Sequence, residues 1–239
     1  KKEKLALTLL NQGRINEAKD IYIELIKGGT RNHISYCNLA ALYGVKNIKK
    51  MESLLKEAIE LKPDFADSYY NLGIAKRYKG DIHEAINSYK KAISINQNHT
   101  KAYNNLGNLF RDQGNLEEAI ALYKKLLNIN PNFTDAYFNL ANVYRDQRDF
   151  KSAIIFYQKA IILKEDNPEY HFNLAITLND IGNSDEAIKY YNNAIQYNSY
   201  YDDAYLNLGN ILKKKKELDK SSELYKKAIQ INPKNIKAY

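Results

Sequence analysis

The segment TKAYNNLGNLFRDQGNLEEAIALYKKLLNINPNF, residues 100–133, carries two apolar stripes of helical period with a break between them. Tyr103, Leu106, Gly107 and Phe110 fall at i, i+3, i+4 and i+7, one face of a helix. Leu116, Ala119, Ile120, Tyr123, Leu126 and Leu127 make a second such face. Gly114-Asn115 stands between them. Glycine suits the left-handed stop of a first helix. Asn115 then caps the second, with Glu118 at capping-box spacing. Asp81 with Glu84 and Asn183 with Glu186 repeat that spacing. Asn130-Pro131 closes the second helix, and proline returns at Pro63 and Pro233. The segment therefore predicts two antiparallel helices and a short turn.

The pattern extends along the whole chain. Leu72, Leu106, Leu140, Leu174 and Leu208 are spaced by 34 residues, and the same step links Ala85, Ala119, Ala153 and Ala187. It also links Tyr89, Tyr123, Tyr157, Tyr191 and Tyr225, and Tyr69, Tyr103, Tyr137 and Tyr205, with His171 filling the gap. The expected organisation is one solenoid over 1–239. It has a partial repeat at 1–32, a 33-residue repeat at 33–65, and repeats at 66–99, 100–133, 134–167, 168–201 and 202–235; residues 236–239 begin another. The residue missing from 33–65 lies between Leu39 and Met51. Gly73, Gly107 and Gly209 alternate with Ala40, Ala141 and Ala175 where two helices must approach closely. One pair cannot bury such faces alone, so pairs must stack.

Composition narrows the function classes. Of 239 residues, 44% are hydrophobic and 27% charged, with a net charge of +8. One cysteine, Cys37, excludes a disulfide framework and a multi-cysteine metal site. Ten glycines and four prolines are too few for an all-β chain. Neither G-x-G-x-x-G nor G-x-x-x-x-G-K-[ST] occurs, and no apolar run could span a membrane. Lys1-Lys2-Glu3-Lys4 shows no targeting segment, so a cytoplasmic setting is expected. The positive charge is expected to be spread along the stack without marking a nucleic-acid surface. Lys213 to Lys216 is read as a solvated turn, since Glu217 and Asp219 follow it. His33, His83, His99 and His171 are isolated from one another in the repeat register, so no metal or other cofactor is expected.

These residues resemble the tetratricopeptide repeat. The match reads Tyr103, Leu106-Gly107, Phe110, Ala119, Tyr123, Leu126 and Pro131. Departures are local: Lys76 replaces a first-helix aromatic, Met51 and Ser221 replace the small alanine, and Gln97, Glu165 and Ser199 replace the proline. The resemblance implies an all-α, right-handed superhelical solenoid of antiparallel helix pairs. Its first helices would line a concave groove that binds a protein or peptide.

Asparagine marks that face. Asn38, Asn71, Asn105, Asn139, Asn173 and Asn207 each sit just before the first-helix leucine, and Asn108, Asn142 and Asn210 form a partial second column. Interior asparagine costs about half a kcal/mol against alanine. A carboxamide both donates and accepts, so a row of them would hold an extended peptide whatever its sequence. The other reading is that this asparagine is common in such repeats and satisfies backbone at contacts between them. The column also resembles the repeat arm of protein O-linked N-acetylglucosamine transferases, which implies a hold on substrate backbone. Chaperone-binding relatives place lysine just before the ladder asparagine. Here that position holds Tyr70, Asn104, Phe138, Phe172 and Leu206, so the clamp is missing and the aromatics would give side-chain pockets. Arg77, Arg111 and Arg145 recur on the same helices, followed in sequence by Asp112, Asp146 and, one repeat on, Asp180. They are read first as a salt-bridged edge, second as part of the binding face.

The expected function is a non-catalytic scaffold holding a protein or extended peptide. The alternatives are a substrate-recruiting arm of a larger enzyme, such as a protein glycosyltransferase, and a structural solenoid that associates end to end.

Overall fold

A computed structural model describes residues 1–234; the start of a further repeat expected at 236–239 lies outside the described residues. All regular structure among them is helical. The chain divides into two compact units, Lys1–Asn115 and Leu116 onward, with the boundary inside repeat 100–133.

The first unit contains α1 (Lys2–Asn11), α2 (Ile15–Lys27), α3 (His33–Tyr43), α4 (Ile48–Leu61), α5 (Ala66–Lys79), α6 (Ile82–Ile95) and α7 (Thr100–Asp112). Each packs on the next, and α3 also touches α5, the first helix of the following repeat. The turn between α5 and α6 closes with Gly80 at φ 89°, where its amide bonds to the Arg77 carbonyl. In the repeat that is one residue short, a 3-10 turn over Gly44–Asn47 leads into α4, and Asn47 Oδ1 accepts the Lys50 amide.

The second unit contains α8 (Leu116–Ile129), α9 (Thr134–Asp146), α10 (Phe150–Leu163), α11 (Pro168–Asp180), α12 (Ser184–Tyr197), α13 (Asp202–Lys214) and α14 (Leu218–Ile231). Here too each helix packs on its successor. Asn183 caps α12 as the spacing predicts, accepting the Glu186 amide while its own amide donates to Glu186 Oε2. Asp149 caps α10 through Ser152. Asp81 makes no such cap on α6 because two cations compete for its carboxylate, Lys79 at 3.4 Å and Lys76 at 3.7 Å.

The core is built from the small and aromatic columns. Ala85, Tyr89, Ala153, Tyr157, Ala187 and Tyr191 are all buried. Burying one such large side chain stabilises the fold by about 1.5–3 kcal/mol. Close approach has a visible cause at Gly73: a Cβ there would lie 2.5 Å from the Tyr89 ring. Departures from the repeat pattern find local partners. Lys76 pairs with Glu52 at 3.0 Å, and that bond holds the ammonium above its ordinary range. Ser221, in place of alanine, donates to the Gly209 carbonyl at 2.9 Å. His171, in place of tyrosine, stacks on Tyr197 and meets the Glu165 carbonyl at 2.7 Å.

The charge is not spread evenly. Residues 1–115 hold 19 Lys/Arg against 12 Asp/Glu, while the remainder holds 17 against 16. The even distribution expected from the repeat is thus corrected: nearly all the excess lies in the first unit.

Candidate functional site

On each first helix one stripe is left over after the core positions are removed. On α5 it runs through Asp67, Tyr70, Asn71, Ile74 and Arg77, at helical spacing. Side chains join these stripes across repeats. Arg77 Nη2 reaches Asp112 Oδ2 on α7 at 3.3 Å, and Arg145 Nη1 on α9 donates to Asn173 Oδ1 on α11 at 2.7 Å. The stripes within a unit therefore form one surface.

In the first unit the ladder asparagines are half-buried, and each spends its amide nitrogen on the preceding repeat. Asn38 Nδ2 donates to Tyr22 Oη at 2.9 Å. Asn71 Nδ2 donates to Cys37 Sγ at 3.3 Å. Asn105 Nδ2 donates to Tyr70 Oη at 3.4 Å and to Tyr89 Oη at 3.5 Å. A buried hydroxyl left without a partner costs about 1–3 kcal/mol, more than the helical penalty of asparagine. The column does make contacts between repeats, but here its partners are side-chain hydroxyls and a thiol, not the backbone expected, and each contact uses only half of the carboxamide.

In the second unit the second column serves the same tyrosine position from the other side. Tyr157 Oη donates to buried Asn142 Oδ1 at 2.5 Å, and Tyr225 Oη donates to exposed Asn210 Oδ1 at 2.8 Å. Asn173 is committed at both ends, accepting from Arg145 and donating to the Glu169 carbonyl. Asn139 on α9, Asn207 on α13 and Asn108 on α7 of the first unit are half-buried.

The aromatics are walls, not open pockets. Tyr70 packs 4.9 Å from His99, Phe138 4.9 Å from Tyr170, and Phe172 4.6 Å from Tyr201, each with a core tyrosine on its other side. Asp112 accepts from both Arg77 and Arg111, an exposed edge worth about 0–1 kcal/mol per pair. Arg145 instead lines an open cleft of about 490 Å³ with Asp146, Arg148, Phe150 and Asp180.

Burial sets the titration behaviour. Desolvation pushes the Tyr89 hydroxyl up to about 12, and burial also raises Tyr70 and the Cys37 thiol, so all three stay protonated near neutrality. Among the described residues no three His, Cys, Asp or Glu gather as a metal site. No described helix is long and apolar enough to cross a membrane.

Two features went unread in the sequence. The Tyr–Asn pairs recur at separations of 16 and 15 residues, a signal that was available. The other is His99, whose Nδ1 accepts the Ala102 amide as cap of α7 while Nε2 meets Asp67 Oδ1 at 3.2 Å.

Known proteins share this architecture. Family models described as "Tetratricopeptide repeat" match residues 66–99, 134–167 and 202–235, and again 88–121 and 156–189; one described as "TPR repeat" matches 107–147. Comparison with curated protein sequences finds no match. Among solved structures, MamA is 28% identical with a TM-score of 0.64, covering 69% of this chain and 96% of its own. YrrB, described as a TPR protein with an unusual peptide-binding site, is 26% identical with a TM-score of 0.63, covering 77% and 95%. PilF of Pseudomonas aeruginosa, at 19% identity and a TM-score of 0.76 over 86% and 94%, shows the same fold. With the family models together covering more than half of its residues, the chain belongs to the tetratricopeptide-repeat family.

Proposed function

We propose that this chain is a non-catalytic scaffold that holds an extended segment of a partner protein on its first-helix surfaces. The observation that carries this reading is the register of carboxamides there: Asn38, Asn71 and Asn105 in one unit, Asn142 and Asn210 in the other, each anchored from behind and each keeping half of its amide. Partner backbone supplies what a carboxamide binds, an N–H or a C=O. YrrB, with its peptide-binding site, supports the assignment by likeness. The single thiol, Cys37, supports a cytoplasmic setting, and protein is preferred to nucleic acid as partner.

The test selects a random 12-residue peptide library on the full chain and measures affinity by fluorescence anisotropy. Replacing Asn38, Asn71, Asn105 and Asn210 by alanine should weaken the selected peptides tenfold or more while helicity by circular dichroism holds. Unchanged affinity in a folded variant would refute the scaffold reading. A second reading, self-association through the last helix pair, is favoured by open clefts of about 430 and 480 Å³ flanking Leu224 of α14. A light-scattering mass equal to one chain at high concentration would exclude it.

A further inference from the structure

Resting on that reading, we infer that the groups behind five of the asparagines decide which amide atom each presents, so that the first unit offers hydrogen-bond acceptors at Asn38, Asn71 and Asn105 and the second offers donors at Asn142 and Asn210.

A carboxamide has one oxygen and one NH2 group. Tyr22, Cys37 and the Tyr70–Tyr89 pair each take the nitrogen of an asparagine in the first unit. The Oδ1 atoms of Asn38, Asn71 and Asn105 are left, and none is buried without a partner. Three successive repeats therefore hold three acceptors in a column. In the second unit Tyr157 and Tyr225 donate, and so occupy the oxygens of Asn142 and Asn210. Their Nδ2 groups are left as donors.

One residue type at one core position produces both outcomes. A tyrosine hydroxyl can accept or donate. Where asparagine stands one repeat ahead, the hydroxyl accepts from it; where asparagine stands in the same pair, the hydroxyl donates to it. Cys37 replaces the hydroxyl for Asn71, because the core position behind it is occupied by Leu55. These tyrosines and Cys37 are positioning residues, since they act on a partner only through asparagine. The partner chemistry follows: N–H groups of an extended backbone, or side-chain N–H of Lys, Arg, Asn or Gln, over the first unit, and carbonyl groups over the second.

Aspartate separates the two polarities, because a carboxylate keeps the acceptors and loses the donor. The probes are the selected 12-residue peptides, sorted by whether Asn38→Leu or Asn210→Leu weakens them. For the first class, Asn38→Asp should hold affinity within about twofold, and Tyr22→Phe should weaken it about threefold to tenfold. N-methylation of one probe amide should reproduce the loss. For the second class, Asn210→Asp should weaken binding tenfold or more. Tyr22→Phe keeps the packed ring, and its side-chain signature is specific: the Asn38 NH2 resonances should shift in a 1H–15N spectrum whose backbone peaks stay in place. Unmoved Asn38 resonances would overturn the inference, as would Asn38→Asp behaving like Asn38→Leu, or Asn210→Asp retaining affinity. Peptides that respond at both positions but treat both aspartates alike overturn the polarity alone. Peptides that ignore both positions overturn the polarity together with the scaffold reading beneath it.

Discussion

Gly73→Ala should destabilise the protein although it improves helix propensity. In the interior of α5 the exchange is worth about 0.5–1 kcal/mol in favour of alanine. Against it stands the ring of Tyr89. The added Cβ would meet Cε1 at 2.5 Å and Cδ1 at 2.6 Å, roughly 1 Å inside the ordinary carbon–carbon separation. Tyr89 is fully buried, so the ring has nowhere to go without displacing its neighbours. Overpacking of this kind costs about 1–3 kcal/mol. The net loss then spans about 0–2.5 kcal/mol and centres near 1 kcal/mol, which is very roughly 2–4 °C in Tm for a chain of this size. Gly209→Ala is the internal control. Its Cβ would meet Tyr225 at 2.7 Å, but Tyr225 is only half-buried and can yield. That variant should change Tm by no more than about 2 °C on the same scale. Thermal and urea unfolding followed by circular dichroism measures both. A Gly73→Ala protein at least as stable as the parent would refute the close-packing argument.

Arg148 and Lys216 occupy the left-handed conformation that Gly80, Gly114 and Gly182 occupy in other repeats, at φ 61° and 65°. Arg148→Gly and Lys216→Gly should each raise stability by about 0.5–1 kcal/mol, read as a higher urea midpoint; a fall would show that the side chain does something there. The Asp67 carboxyl is held below its ordinary range, chiefly by its hydrogen bond with His99. A depressed folded pKa means stability that is present above the unfolded value near 3.8 and lost as pH falls through the folded one. Asp67→Asn should therefore flatten the acid limb of stability between about pH 5 and 2, and a limb as steep as the parent's would remove the bond's role. Lys76→Ala leaves largely buried Glu52 with only Lys79 at 3.7 Å and should cost about 1–3 kcal/mol, whereas removing both partners should recover much of that loss in the same urea titration.

The helix pairs were legible because a 34-residue step repeats the same local pattern, and local pattern decides helices. The asparagine column was legible as a column. Its chemistry was not, because the orientation of Asn38 depends on a hydroxyl 16 residues earlier, on another helix pair. Asp81 shows the same limit from the other side: capping-box spacing says where a carboxylate sits, while Lys76 and Lys79 decide what it binds. Tyr70, Phe138 and Phe172 were placed on the right helices, but the rings that enclose them stand at or in the following first helix: His99 and Tyr201 are the N-cap residues of α7 and α13, and Tyr170 lies in α11.

This dependence across repeats ties core to surface more tightly than in a protein whose binding groups stand on loops. Tyr89 fills the space over Gly73 with its ring and holds Asn105 with its hydroxyl. A change that moves the ring therefore acts twice, once on packing and once on the hydrogen bond. Gly73→Ala, made to test packing, should also disturb the Asn105 side chain one repeat away. Tyr89→Phe should disturb the same side chain while leaving the ring in its place. If the two variants move the Asn105 NH2 resonances alike but only Gly73→Ala lowers Tm, then the ring carries stability and the hydroxyl carries the surface. If Tyr89→Phe leaves those resonances still, the asparagine column draws its order from the helices alone.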